Sequence, residues 1–422
     1  MSVALEEQRS EQALAPAYDL AAVRAQFPIL AETVHDRPLV YLDNAATTQK
    51  PERVIAAVSD VYRHSYANVA RGVHRLAERA TDAFERSRAA VQRFLGAASP
   101  EEIVFVRGTT EAINLVAASW GSANVRAGDE VLITGLEHHA NLIPWQRLCA
   151  EKGAHLRVAP VDERGEVSLE AFAAALSPRT RLAAFAHVSN VFGTVLPVRE
   201  MVELAHRAGA LALVDGPQAA PHLAVDVQAL GCDFYAFSGH KVYGPSGIGA
   251  LFSRAEILRE MPPFLTGGGM VRTVGFETSD FADPPTRFEA GTQNLEGAVG
   301  LAAALEFLDG IGRENAASWE RALLARAVER LAEIPGVRLL GAPRERASLV
   351  SFVIEGVHPH DAGTVLDSEG IAVRVGHLCA QPLMASLGVA AVVRASFALY
   401  NTLEEVEALP AGLSRVREVF GR

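Results

Sequence analysis

Lys241 and Asp215 are the two residues whose types and settings carry the most chemistry in this chain. Lys241 closes Ser238-Gly239-His240-Lys241, which follows the apolar run Phe234-Tyr235-Ala236-Phe237 and precedes the glycine-rich Gly244-Pro245-Ser246-Gly247-Ile248-Gly249. A lysine at the end of a buried strand must reach water, pair with an anion, or lose its proton through desolvation. Asp215 ends a second apolar run, Leu211-Ala212-Leu213-Val214, as a strand delivering an acid to a site would. A structural ion pair between them is the plainer outcome.

The other outcome is that pyridoxal 5′-phosphate (PLP) lies between them, with Lys241 as its Schiff-base lysine and Asp215 keeping the pyridine nitrogen protonated, so that the ring draws electrons. Further stretches supply what such a group needs. Arg107-Gly108-Thr109-Thr110-Glu111 follows the strand-like Ile103-Val104-Phe105-Val106 and opens a helix near Ala112. Backbone N–H groups at a helix start, a glycine for close approach and threonine hydroxyls make a phosphate site there, or else an ordinary capped helix. Leu136-Glu137-His138-His139 follows the strand Glu130–Thr134, and a metal at this histidine pair would need a third ligand that the neighbourhood does not offer. Asn190, after the apolar Leu182–Ala186, is read from the residues alone as a turn former.

A thiol and a guanidinium complete the set. Cys379 lies in Arg374-Val375-Gly376-His377-Leu378-Cys379-Ala380-Gln381-Pro382, where a cationic setting near Arg374 favours thiolate, although a lone cysteine after a strand is more often an inert core residue. Cys149 and Cys232 read as structural, and the three cysteines have neither disulfide nor zinc spacing, so each is expected to be a free thiol. Arg394 enters the apolar strand Val392–Ser396 and needs an anion, which is either a ligand carboxylate or an internal Asp or Glu.

Taken together and in this order, the motifs resemble the class V group of fold-type-I PLP enzymes, and within it the SUF-system cysteine desulfurases and selenocysteine lyases, from about Leu39 to Asn401. The resemblance implies that Thr109, Thr110, Ser238 and His240 hold the PLP phosphate, that His138 stacks on the pyridine ring, and that Gln218 and Asn190 bind its phenolic oxygen or the substrate side. It implies Arg394 and Arg374 as substrate-binding, Cys379 as the nucleophile that takes sulfur from L-cysteine, and Thr292 as a contact to the phosphate of a second copy in a homodimer. A sulfur-acceptor protein for iron–sulfur cluster assembly follows on the same footing. Three positions depart from the family pattern: Ala70 for a histidine, Pro217 for a small alanine, and Leu378 for the second histidine before the cysteine. Rival reactions are selenocysteine lysis, cysteine sulfinate desulfination, transamination or epimerisation; a PLP-less scaffold that binds a sulfur-transfer partner is a rival of another class.

The surrounding elements must fit this chemistry. With 422 residues and 49% hydrophobic composition, the chain exceeds the ~250–300 residues at which single cores stop growing, so two cores are expected. The net charge of −11 with scattered basic residues argues against nucleic acid or an anionic membrane as partner, and no apolar run approaches the ~20 residues of a spanning helix. A cytoplasmic enzyme without a leader is the expectation. Alternating strand and helix patterns predict an α/β fold with a mostly parallel sheet wrapped by helices; the resemblance implies the PLP-dependent transferase fold type I, with seven strands in that sheet. The expected divisions are an N-terminal segment (1–38) with a frayed start to about Pro16, a large PLP-binding domain (39–295) and a small α+β domain (296–422). In the last, the pattern predicts helices over Gly300–Leu308, Ser318–Leu331 and His360–Ser368 and strands over Val337–Leu340, Leu349–Ile354 and Ile371–Val375. Gly267-Gly268-Gly269 lacks the Lys-Ser/Thr of a phosphate-binding P-loop, so ATP is excluded as ligand.

Overall fold

The computed structural model describes residues 16–70 and 72–421. The frayed start expected to about Pro16 lies almost wholly outside them. Seven strands form one sheet in the spatial order 103–106, 249–253, 234–238, 211–215, 180–186, 130–134 and 155–159. Gly249–Ser253 runs antiparallel to both neighbours and every other pairing is parallel. The expected α/β fold with a mostly parallel seven-stranded sheet is the observed one.

The middles of the inner strands are apolar because helices cover both faces of a parallel sheet. Alternate residues then feed two cores: Ile103, Phe105, Ala212, Val214, Tyr235 and Phe237 join one, while Val104, Val106, Leu213, Phe234 and Ala236 join the other. Ligands in open α/β sheets bind beyond the carboxyl ends of the strands, and the polar residues singled out from the sequence follow those ends.

A third core lies under a four-stranded antiparallel sheet, ordered 337–340, 349–354, 392–396 and 374–376. The strand expected over Ile371–Val375 is two. Ile371–Ala372 pairs in parallel with Val40–Tyr41, and Arg374–Gly376 pairs with Val392–Ser396. The chain changes sheets at Val373, and Leu42 packs in this third core although it is distant in sequence. Packing is continuous across the sequence boundary drawn near Leu295. The helix Leu295–Ile311, capped by the Asn294 side chain, contributes Leu295, Leu301 and Leu305 to the core that holds Phe237.

Element ends also shift. The helix expected near Ala112 begins at Thr109, directly after Gly108. The N-terminal helix spans Leu20–Arg24, and Pro28, which disfavours helical geometry in the residue before it, starts a tighter turn.

Candidate active site

Five strand ends and one C-terminal loop converge on a cavity of about 300 Å³, lined by Ala45, Ala46, Thr109, Thr110, His138, Asn190, Asp215, Gln218, Ser238, His240, Lys241, Arg374, Leu378, Cys379 and Arg394, among others. Every site residue expected from the sequence is in this wall except Thr292. Thr292 lies in a separate surface groove with Asn68, Ala70 and Glu289, away from its own chain's cavity.

At one end the Thr109 N–H and hydroxyl both reach Ser238 Oγ at 2.9 Å. A Cβ on Gly108 would stand 3.2 Å from that oxygen, so a side chain there would crowd the Thr109–Ser238 contact. A larger open groove of about 810 Å³ adjoins this end, sharing Thr109, Thr110, Ser238 and His240. It lacks Lys241, Asp215 and Cys379, so the smaller cavity holds the reactive groups.

Deeper in, Asp215 is buried and its Oδ1 has no hydrogen-bond partner. Burial holds its carboxyl above the usual range, with the Lys241 charge opposing. Lys241, carried on the turn Gly239–Lys241, is held below the usual lysine range by burial and by Arg394, with Asp215 and Cys379 pulling the other way. The two are electrostatically linked without a direct ion pair. Burial first, and then the Lys241 charge, push His138 down to about 4, which keeps its ring neutral. Gln218 Nε2 donates to the Ala45 carbonyl at 2.7 Å, tying the turn after Asp215 to Asn44–Thr48. No helix starts within Asn44–Thr48; the segment lines the cavity through Ala45 and Ala46.

Of the two partners open to Arg394, the structure contains the internal one. Asp43 Oδ1 is 3.5 Å from Arg394 Nη2, and Asp43 Oδ2 is 2.7 Å from Arg374 Nη2. Arg394 Nη1 also donates to the Asn190 carbonyl at 2.8 Å, yet its Nε is buried without a partner. A donor thus remains for a second anion.

Cys379 is exposed, whereas Cys149 and Cys232 are buried, and all three are free thiols. Burial pushes the Cys149 thiol up to about 11 and Cys232 higher still. Leu378 and Cys379 both have left-handed backbone angles, φ +53° and +54°, which side-chain-bearing residues seldom adopt. Asn190 Nδ2 donates to the Leu378 carbonyl at 2.7 Å, and the His139 N–H to the Cys379 carbonyl at 2.7 Å. The side chain of Leu378, where the family pattern has histidine, is buried.

Sequence reasoning overlooked three contributors. Asp43 was visible as a carboxylate directly after the strand Val40–Tyr41, but its partners lie more than three hundred residues away. His139 also accepts from Gln381 N–H at 3.2 Å and so clamps the Cys379 loop. Glu137, buried and raised to about 8 chiefly by desolvation and also by Asp215, sits between Thr134 and Asn141 behind the cavity. His222, unassigned from the sequence, forms a buried 2.6 Å contact with Glu320.

The description "Aminotransferase class-V" matches residues 40–409. A cysteine desulfurase of Synechococcus elongatus is 53% identical over 400 residues, 95% of this chain, which spans 64% of that protein's own length. A cysteine desulfurase of Salmonella agona is 51% identical over 405 residues, covering 96% of this chain and 100% of the relative. In three dimensions, the S-sulfonic acid form of the cysteine desulfurase CsdA from Escherichia coli superposes with a TM-score of 0.89 at 41% identity, covering 96% of this chain and 99% of that one. More distant is a C-DES mutant with glycine covalently linked to its PLP cofactor, at TM-score 0.79 and 26% identity over 93% of this chain and 98% of that one. A buried lysine–aspartate cleft on this fold, matched over nearly the whole sequence, therefore makes the chain a member of the PLP-dependent aminotransferase class-V family, among relatives named cysteine desulfurases.

Proposed function

We propose that this chain is a PLP-dependent cysteine desulfurase that converts L-cysteine to L-alanine and carries the released sulfur as a persulfide on Cys379. The observation behind this reading is that the exposed thiol of Cys379, the amine of Lys241 and the partnerless Asp215 Oδ1 line one cavity.

The cleft fits the cofactor on its own terms. A buried carboxylate oxygen lacking a donor suits a protonated pyridine nitrogen, and the helix start at Thr109, with the hydroxyls of Thr110 and Ser238 beside it, suits a phosphate. Lys241 would hold the aldehyde carbon, and Gln218 and His138 would flank the ring. When bound, PLP supplies an electron-accepting ring next to the substrate's Cα.

The chain's own groups account for the rest. Arg394, through its open Nε, and Arg374 hold the substrate carboxylate. Lys241 Nζ, shifted toward its neutral form by burial, takes the Cα proton. Cys379 Sγ, as thiolate, attacks the substrate sulfur: an S–S bond forms, the Cβ–S bond breaks with its electron pair left on Cβ, a proton adds there, and the proton held on Lys241 Nζ returns to Cα to complete alanine. One thiol and one cysteine thus yield one persulfide and one alanine, with no external oxidant.

In this reading the large unit, 39–295, supplies the lysine and the smaller, 296–422, supplies the thiol and both arginines. Thr292, turned away from its own cavity, supports a homodimer in which it approaches the partner's phosphate. The sulfur then passes to an acceptor protein of the SUF type, and the enzyme works in the cytoplasm; among the described residues no helix is long and apolar enough to cross a membrane. The test is mass spectrometry of the PLP-loaded protein after L-cysteine, with alanine assayed in parallel. One added sulfur on the Cys379 peptide together with alanine is expected. Sulfur on Cys149 or Cys232, or no alanine, would overturn the reading.

A further inference from the structure

The carbonyl oxygen of His240, in the peptide that leads into Lys241, accepts four hydrogen bonds. They come from the Thr48 N–H at 3.0 Å, Thr47 Oγ1 at 3.0 Å, Thr48 Oγ1 at 3.2 Å and Lys50 Nζ at 3.1 Å. A carbonyl oxygen has two lone pairs, so two donors already satisfy it. On the far side of Lys241, the Tyr243 N–H donates to Thr48 Oγ1 at 2.8 Å, with Tyr243 itself at φ +65°. The peptide before Lys241 and the peptide beyond Val242 are therefore both fixed to the segment Thr47–Lys50.

Within that segment Lys50 is the costly member. A lysine stem ordinarily carries its ammonium to water. Here burial pushes the group down to about 8 with no carboxylate opposing the shift, and its recorded partners are two carbonyl oxygens, of Thr48 and His240. A charge-assisted bond to a peptide oxygen is stronger than a neutral one and sets the plane of that peptide, hence the direction in which the next side chain leaves the backbone. That next side chain is Lys241.

We propose that Lys50 is a positioning residue: through the His240 carbonyl it holds the turn that aims Lys241 into the cavity. The assignment deepens the desulfurase reading and rests on it for the choice of substrate, but the placement of Lys241 is measurable without turnover.

Lys50, Lys152 and Lys241 are the only lysines of the chain, so trace labelling with acetic anhydride followed by peptide mapping resolves each amine. In the cofactor-free Lys50→Met protein the Lys241 peptide should label several-fold faster than in the parent, as the turn loosens. With PLP bound, kcat for L-cysteine should fall by about ten- to a hundredfold, the scale expected when a reacting group is displaced by about an ångström, with KM changed less than twofold. Lys50→Arg, which keeps charge and donors, should recover part of kcat. Unchanged Lys241 labelling and unchanged kcat, with only a lowered melting temperature, would reduce Lys50 to a structural role and overturn the proposal. Should Lys50→Met fail to fold, Thr47→Val removes one donor from the same oxygen and should give a smaller change of the same kind; no change would again overturn it. If the parent releases no alanine from cysteine, the functional reading fails, while the labelling contrast still decides the role of Lys50.

Discussion

Arg394 and Arg374 face each other directly across the antiparallel strand pair, and the carboxylate of Asp43 lies between their guanidinium groups. Like charges directly opposite in a sheet repel, and a buried arginine without an anion is costly. Burial with Arg374 nearby holds Arg394 down to about 10, against the pull of Asp43. The Asp43→Asn protein should lose about 3 kcal/mol of stability, read from urea unfolding of the cofactor-free chain. Arg394→Lys tests the other face of the same group. Loss of the planar fork should raise KM for L-cysteine several-fold with a smaller effect on kcat, and an unchanged KM would remove Arg394 from the carboxylate site.

The three thiols should separate by accessibility and by charge. Iodoacetamide at pH 7.5 should modify Cys379 within minutes and leave Cys149 and Cys232 intact while the protein stays folded, since burial suppresses both accessibility and thiolate in the latter two. Alkylated protein and Cys379→Ala should both lose cysteine turnover. Undiminished turnover by Cys379→Ala would rule out attack by this thiol.

Arg88 and Glu289 make a stability prediction remote from the cavity. Both are nearly fully buried, two Arg88 nitrogens reach Glu289 at 2.7 Å and 2.9 Å, and Glu289 also accepts the Phe105 N–H at 2.7 Å. Arg88→Met leaves that carboxylate buried with one backbone donor, and should cost about 3–5 kcal/mol. Arg88→Met combined with Glu289→Gln should recover part of the loss, because no unpaired charge remains. Chemical denaturation of the four proteins in a double-mutant cycle gives the coupling directly.

His187 gives a pH signature. Buried beside Tyr235 Oη at 3.1 Å, it is pushed down to about 4 by desolvation. Between pH 6.5 and 4 the unfolded chain binds a proton at this imidazole that the folded chain refuses, so the contribution is present above pH 6.5 and is lost as pH falls through about 4. The difference in unfolding free energy between the parent and His187→Asn should therefore shrink by up to about 3 kcal/mol from pH 6.5 to pH 4. A difference independent of pH would show that His187 titrates normally.

Much of this molecule is written in local sequence. The sheet follows from apolar runs such as Leu211–Val214 and Phe234–Phe237, which only burial on both faces can accommodate, and the polar residue ending each run marks the ligand side. Lys241, Asp215, Thr109 and Cys379 were legible because each stands at a break between an apolar run and a turn, a signal within ten residues. What local sequence could not decide is which distant groups meet. The pairing of Asp43 with both arginines, the clamp of His139 on the Cys379 loop, the split of 371–375 between two sheets and the four donors on one oxygen of His240 all join segments far apart in the chain. Hydrogen bonds and ion pairs act over about 3 Å of space, and only the folded backbone brings those segments within that reach.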